Sequence, residues 1–598
     1  MSILKYLDKI QLFILFSIFS YIVLMLLLNV SSGFDRTDES YYILVASQPS
    51  SLFSLITHEG YYTGLLYFLS GYNLANFRLL GIIILVLTSS WFAFELYRYL
   101  MYKFKYKFDK LESLLFITLL STGSLSYYRW WLITPSYNWL TLISVILFFT
   151  IIFRISTHKE HNYDRYFSVN YLLLSFSSSL AFMAKPTTAL ALMVLATLFL
   201  IYEHKNINLK KIIPAVLVTT GFMVYAHILF LDGGFGPYYE RLNEAMARLA
   251  LLGGGHTFGS RMESLLKLIQ ATFFEKFYFM EISKIYIVGV FSGIVLLFTL
   301  RHKIDSLKIY TYFMQVILIV YSYFMLKNGF GSKYTLVWIR SVEILILNIL
   351  LYVFAIAFIH EKKSFTYSLL KVTILAIIII FGSCAYSFGT AIHFIHAMSS
   401  SMIFVMASVV TLNVIISRLL NANYFTLISS TILSVIIVFQ LNYAYEHPYR
   451  SATNIKGQDQ FVEFLGGLYV DKKQKQYIEG LKNILQKNKS TNESISLLDM
   501  TGSSPGANVI LGAEFFGHPW LLGGYKGSND LAYRILSEYK GSEKLKKTWI
   551  LTAEPGIGKL DLKILNKLGL DFPNNYIELG TVETAYRSEP QKLWKPKD

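Results

Sequence analysis

Cysteine is nearly missing from this chain: Cys384 stands alone in 598 residues. One thiol excludes an intrachain disulfide framework, and its place inside an apolar run marks it as a packing residue. Charge is scarce too. Asp, Glu, Lys and Arg make up 15% of the chain, against about 25% in soluble domains, which excludes an ordinary soluble globular protein. There is no CxxC pair, HExxH helix or EF-hand loop. The nearest thing to a phosphate loop, Pro555 to Leu560, fails at both ends. Ala553 holds the first glycine position and Leu560 the hydroxyl position. His393 and His396 share a helical spacing, but no carboxylate accompanies them, so they read as an interfacial pair and not as metal ligands.

What the chain has in abundance is apolar and aromatic surface: 54% hydrophobic residues, 16% of the total being Phe, Trp or Tyr. Runs long enough to cross a bilayer fall at about 10–30, 78–98, 111–127, 139–155, 168–184, 187–202, 212–231, 283–300, 309–326, 339–359, 369–387, 400–417 and 425–443. This pattern predicts a polytopic α-helical membrane protein of about thirteen spans. No small-residue cleavage site follows the first run, so it is expected to remain as an anchor. The net charge of +16 calls for no nucleic-acid partner. Its lysines and arginines gather in alternate short loops: Lys5 and Lys9, residues 97–110, Arg154 to Arg165, Lys205 to Lys211, Arg301 to Lys308, Lys362 to Lys371, and Arg418. The positive-inside rule then sets the N-terminus in the cytoplasm. An odd number of spans places everything beyond about Tyr445 outside. From there the composition turns to Lys, Glu, Asn and Gly, with short apolar runs such as SISLLDM and TWILTAEP. A small extracytoplasmic α/β domain over 445–598 is expected, behind a membrane domain over 1–444.

The opposite loops are longer and rich in Gly, Pro and aromatics, so function should face the exterior. Loop 31–76 opens with Phe34-Asp35-Arg36-Thr37-Asp38-Glu39-Ser40-Tyr41-Tyr42. Acids at this position suit the first turn of a helix, but three of them beside a bilayer also suit chemistry on a lipid-borne substrate. The rest of the loop carries further aromatics, Tyr62 among them, on segments too short to span, as expected for interface helices. Loop 232–281 holds a glycine-bracketed amphipathic helix after Gly233, Gly234 and Gly236. Arg78, Arg129, Lys185, Arg241, Arg261, Lys327, Lys333 and Arg340 sit at outer span ends, against the positive-inside trend. Each one alone reads as a snorkelling anchor. Together they offer groups able to hold a lipid-linked phosphate. Arg129 stands among aromatics in YYRWWLITPSYN, Lys185 beside a proline in FMAKPTTA, and Lys333 in KNGFGSKY.

An acidic pair (Asp38-Glu39) after the first span, two interface helices, and a second span opening Asn76-Phe77-Arg78 form an ordered pattern. It resembles the GT-C class of polytopic glycosyltransferases, in the bacterial branch with the protein mannosyltransferases and the aminoarabinose transferases of lipid A. The likeness covers residues 1–440 as architecture and about the first hundred as motif. It implies a bacterial cytoplasmic-membrane enzyme that takes a sugar from a polyprenyl-phosphate donor and passes it to an extracytoplasmic glycan or glycolipid. In that scheme Asp38 is the general base and Glu39 orients the acceptor, Arg36 or a metal ion. Asp35, Arg36, Tyr41, Tyr62, Arg78, Arg129, Lys185 and Lys333 bind substrate. The resemblance fixes no cofactor, since some relatives need no metal, and a divalent metal is compatible with the scheme. The later signatures of the protein mannosyltransferases are missing, which argues against a protein acceptor. The competing classes are a transporter or flippase of lipid-linked glycans, which should show paired repeats, a polymerase or ligase of such glycans, and a non-catalytic glycan receptor.

Overall fold

A computed structural model describes residues 2–51, 55–104, 110–157, 165–203, 209–252, 363–389, 394–420, 428–488, 494–553, 558–586 and 588–597. Ten of the expected spans coincide with helices: α1 (Ser2–Leu28), α4 (Leu74–Phe104), α5 (Lys110–Leu125), α6 (Tyr137–Thr157), α7 (Arg165–Ala184), α8 (Pro186–Glu203), α9 (Leu209–Asp232), α11 (Lys363–Ser387), α13 (Met402–Leu420) and α14 (Ile428–Glu446). The spans expected at 283–300, 309–326 and 339–359 lie outside the described residues, as do Lys333 and His393. Between the long helices lie α2 (Asp38–Ser47) and α3 (Glu59–Leu69) in the first long loop, α10 (Phe235–Leu251) and α12 (Phe394–Ser400).

Among the described residues five helices are long and apolar enough to cross a membrane: Lys9–Leu28, Leu74–Phe104, Tyr137–Thr157, Pro186–Glu203 and Leu370–Ser387. A sixth follows only if α9 and α10, bent by 80° at Gly233 and Gly234, count as one span. The shortfall from thirteen has a physical side as well as a descriptive one. Helices such as α7 are serine-rich, which lowers their hydropathy. Their hydroxyls nevertheless bond their own backbone, as Ser177 and Ser178 do to the Leu174 carbonyl at 2.8 and 2.9 Å, so these serine hydroxyls are not stranded.

The bundle is closed by aromatic packing. Phe92, Phe149, Phe153 and Phe404 are all buried and meet edge-on or tilted, with Phe92–Phe153 centroids 6.1 Å apart and Phe149–Phe404 5.6 Å apart. One end of the bundle carries the basic loops. There Glu95 pairs with Arg98 and Arg154 at 3.3 and 3.6 Å, and Glu203 with Lys103 at 2.6 Å.

The other end carries the C-terminal part, which is an α/β unit. A hairpin of β1 (Gln460–Val462) and β2 (Leu468–Val470) precedes α15 (Lys472–Asn488). A five-stranded sheet follows, in the order β4 (Glu514–Phe515), β3 (Ser496–Asp499), β5 (Trp549–Ala553), β7 (Pro590–Pro596), β6 (Tyr576–Glu583). The first two pairings are parallel and the last two antiparallel. The parallel strands read SLLD and WILTA and are almost wholly buried, as strands covered on both faces should be.

This unit does not hang free. The first loop is built into it. Gly33 N donates to the Tyr469 carbonyl at 2.8 Å and Tyr469 N to the Ser31 carbonyl at 2.9 Å. Phe34 packs edge-on against Phe464 at 5.1 Å, in one continuous core with Phe77, Leu468 and Leu497. Two further helices, α16 (Gly506–Leu511) and α17 (Ser528–Ser537), face the membrane part. Gly506 N bonds the Arg36 carbonyl at 2.8 Å, and a side chain at 506 would collide with the Arg36 backbone at 2.8 Å. The amphipathic α10 docks on α17 through charge: Glu244 joins Arg248 at 2.8 Å and Arg534 at 2.7 Å, and Arg248 reaches Glu538 at 2.5 Å.

Candidate active site

The three acids of the first loop have three different fates. Asp35 caps α2. Its carboxylate accepts from Thr37 N at 3.2 Å, Thr37 Oγ1 at 2.7 Å and Glu39 N at 3.2 Å, taking up the unpaired donors of the first turn. Burial, with Asp38 and Glu39 close by, pushes its pKa up to about 7. Glu39 is committed to Arg78, whose Nη2 meets the two carboxylate oxygens at 2.7 and 2.8 Å and whose Nε reaches one at 3.0 Å. The Thr134 hydroxyl and Asp35 N also donate to this carboxylate.

Asp38 is the acid left open. Its side chain is 25% exposed at the N-terminus of α2, 3.2 Å from Arg450 Nη1. Arg450 also donates to Thr37 Oγ1 at 2.6 Å, and the Tyr449 hydroxyl is within hydrogen-bonding reach of Asp38.

Behind Asp38 lies a wall of tyrosines. Tyr42 and Tyr137 stand 6.0 Å apart, and Tyr41 leans on Trp520 of the C-terminal unit at 6.2 Å. Lys185 sits between the rings of Tyr137 and Tyr386, 5.2 Å from each centroid. Arg129 lies near Tyr386, within range of its charge. It is buried, donates through Nε to Ser400 Oγ at 2.7 Å, and stacks over Trp130 at 4.7 Å. Its Nη2 is buried without a hydrogen-bond partner among the described residues. Burial pulls its pKa down to about 9, which still leaves a full positive charge at neutral pH.

Glu59, at the start of α3, completes the group. It is buried, and neither carboxylate oxygen has a hydrogen-bond partner of ordinary length among the described residues, with only weaker approaches from the Thr57 side chain and its own backbone. Tyr41, Tyr137 and Lys185 all lie within range of its charge. Burial pushes the carboxyl up to about 7 from an ordinary 4.5, against the weaker opposing effects of those two hydrogen-bonding approaches and of the Lys185 charge. The unfolded chain therefore loses this proton near pH 4.5 while the folded chain keeps it to about 7. Stability falls as pH rises through that window, by about 3 kcal/mol in all. Glu59→Gln should melt close to the wild type at pH 5 and at a higher temperature at pH 8. Identical melts at pH 8 in detergent would refute a stranded carboxylate.

Several sequence-based assignments change. Arg78, grouped there with the phosphate-binding cations, has every donor in use: beyond Glu39 it bonds the carbonyls of Val30 at 2.7 Å, Ser32 at 3.2 Å and Gly33 at 2.8 Å. It is a clamp joining α1, α2 and α4, and the Glu39 carboxylate is its counterpart. Arg36 points into the C-terminal unit toward Ser504, Tyr477 and Asp499, away from Asp38. Tyr62 faces α9, where its hydroxyl bonds His227 Nε2, in a separate cluster with His58, Asp232 and Arg241. Asp38, Tyr41, Lys185 and Arg129 are the predicted residues that come together.

Residues that sequence reasoning missed include Glu59, Tyr137, Tyr386, Tyr449, Arg450 and Trp520. A lone acid in an aromatic loop was a signal for Glu59. Arg450 had none, since 413 positions separate it from Thr37. Among the described residues no group of three His, Cys, Asp or Glu side chains is arranged to hold a metal ion. No protein-family model matches the chain, and no curated protein matches it.

Proposed function

We propose that this chain is an integral membrane glycosyltransferase of GT-C type. It moves a sugar from a polyprenyl phosphate to an extracytoplasmic glycan or glycolipid acceptor, from the bacterial cytoplasmic membrane with its N-terminus inside. One observation carries the reading: the most exposed carboxylate of the acidic motif, Asp38, lies near Tyr137, Lys185 bridges the rings of Tyr137 and Tyr386, and a buried, partly unsatisfied Arg129 lies near Tyr386. A base at one end and fixed cations in a water-poor pocket at the other are what displacement of a lipid phosphate requires.

In the reaction the acceptor hydroxyl gives its proton to Asp38 as its oxygen bonds to the anomeric carbon. The bond from that carbon to the phosphate oxygen breaks, and the electron pair leaves with the polyprenyl phosphate. Lys185 and Arg129 neutralise the charge gathering on the leaving group. A single displacement inverts the anomeric centre. The orientation rests on the basic end, with Arg98, Lys103 and Arg154, lying opposite the acidic motif. The aromatic pairs Tyr41–Trp520 and Trp130–Tyr449 suit stacking on an acceptor sugar.

The test is transfer of radiolabelled sugar from a panel of polyprenyl-phosphate sugars to membrane glycolipid, by purified protein in liposomes. Turnover with one donor is expected, and Arg129→Gln should lower kcat/KM for it by about 10²–10³. Arg129→Lys should recover little, because the planar fork and its stacking on Trp130 are lost. Movement of lipid-linked sugar across the bilayer without transfer would replace this reading with a flippase.

A further inference from the structure

From the burial of Glu59 without a hydrogen-bond partner of ordinary length, we infer that its carboxylate recognises hydroxyl groups of the sugar carried by the lipid phosphate; the inference rests on the donor reading above. A native interior pairs nearly all of its polar atoms, and each exception calls for an explanation. Such exceptions occur in several parts of the molecule, and four of these atoms border the Tyr137–Lys185–Tyr386 group. The two carboxylate oxygens of Glu59, the Nη2 of Arg129 and the Oδ1 of Asn138 are all buried and without hydrogen-bond partners of ordinary length among the described residues. Tyr137, next to Asn138, has Lys185 over its ring and lies near both Asp38 and Glu59. The orphans are of two kinds. Arg129 offers a donor to an anion, whereas Glu59 and Asn138 offer acceptors and need donors in return. A glycosyl phosphate has both halves: phosphate oxygens for the cations and hydroxyls for the acceptors. A cationic ligand for Glu59 is disfavoured, since Lys185 already lies within its field.

The carboxylate is also held at a fixed distance from the reacting end. α3 lies against the C-terminal turns of α2, and at Gly60 and Gly64 a side chain would meet the Val45 and Ala46 carbonyls at 2.6 and 2.5 Å. Glu59 and Asp38 are thus mounted on two helices in backbone contact. A sugar gripped at its hydroxyls by Glu59 presents its anomeric carbon at a set place relative to the base, which is how remote binding contacts serve a displacement.

The experiment compares binding of bare undecaprenyl phosphate with that of its glucosyl, galactosyl, mannosyl, N-acetylglucosaminyl and arabinosyl esters, using the full chain in nanodiscs. The wild type should prefer at least one ester over the bare lipid by about ten- to a hundredfold, the worth of one or two hydrogen bonds to a buried carboxyl group. Glu59→Gln should bind the bare lipid within about threefold of the wild type and lose most of that preference. Glu59→Asp, which keeps the carboxyl group on a shorter arm, should retain part of it. Arg129→Gln should weaken bare lipid and esters alike. Equal losses for bare lipid and ester in Glu59→Gln, or no loss for either, would overturn the role of Glu59 and leave the donor reading standing. A wild type that binds none of these lipids would overturn both.

Discussion

Asp38→Asn should lower sugar transfer by about a thousandfold or more while leaving donor binding within a few fold, since removing a general base typically costs about 10²–10⁴. The asparagine keeps the size of the side chain and an oxygen for Arg450 and Tyr449 to address, so the N-terminus of α2 should stay in place. What disappears is the capacity to take a proton. The effect should fall on kcat with the donor KM little changed, as expected for a group acting in the transition state. Circular dichroism and lipid binding of the same preparation separate this from misfolding. Unchanged turnover would move the base elsewhere. Asp35 is the next acid along, but its oxygens already serve as the helix cap.

Glu39→Gln should act in the opposite manner, through stability first. Glu39 and Arg78 are both buried, with side-chain exposures of 3% and 4%, and are joined at 2.7 Å. Removing the negative member strands a guanidinium against three carbonyls and a threonine. Breaking such a pair costs about 3–5 kcal/mol, whereas removing both charges costs much less. The single variant should melt well below the wild type, or fail to accumulate in the membrane. Glu39→Gln combined with Arg78→Met should recover a substantial part of the loss, a coupling that a double-mutant cycle reads directly. A Glu39→Gln protein of wild-type stability that cannot turn over would instead give Glu39 a role in the reaction. Together the two variants sort the acidic pair into a working member and a structural one.

How much of this was legible beforehand depends on the range of the interaction. Helix positions are a local property of hydropathy, and the apolar runs coincide with helices wherever the chain is described. The amphipathic α10 and the two short helices of the first loop, α2 and α3, were local signals too. The division of labour among Asp35, Asp38 and Glu39 was not, because all three have the same chemistry and neighbouring positions. What separates them is the partner: a backbone amide, an arginine 39 positions away, or an arginine from beyond the last span. Arg78 was misread for the same reason. A sequence displays a charge at a span end but not the carbonyls of Val30, Ser32 and Gly33 that fold around it. Glu59 shows the reverse, a significance that lies in what its carboxylate does not touch.

The joining of Ser31–Arg36 to the C-terminal unit has a consequence for the order of events during synthesis. Arg36 and Ser504, which meet at 3.4 Å, are 468 positions apart. At about 5–20 residues per second, the segment before α2 waits roughly half a minute to a minute and a half for its partner to be made. During that time Phe34 lacks Phe464, and Asp38 lacks Arg450. Under the proposed transfer reaction, the nascent chain is inert until its final quarter has been made and has joined the acidic loop. Early termination therefore leaves a membrane protein with its helices threaded and its chemistry unassembled, and a premature stop near the end should be as severe for activity as one near the beginning.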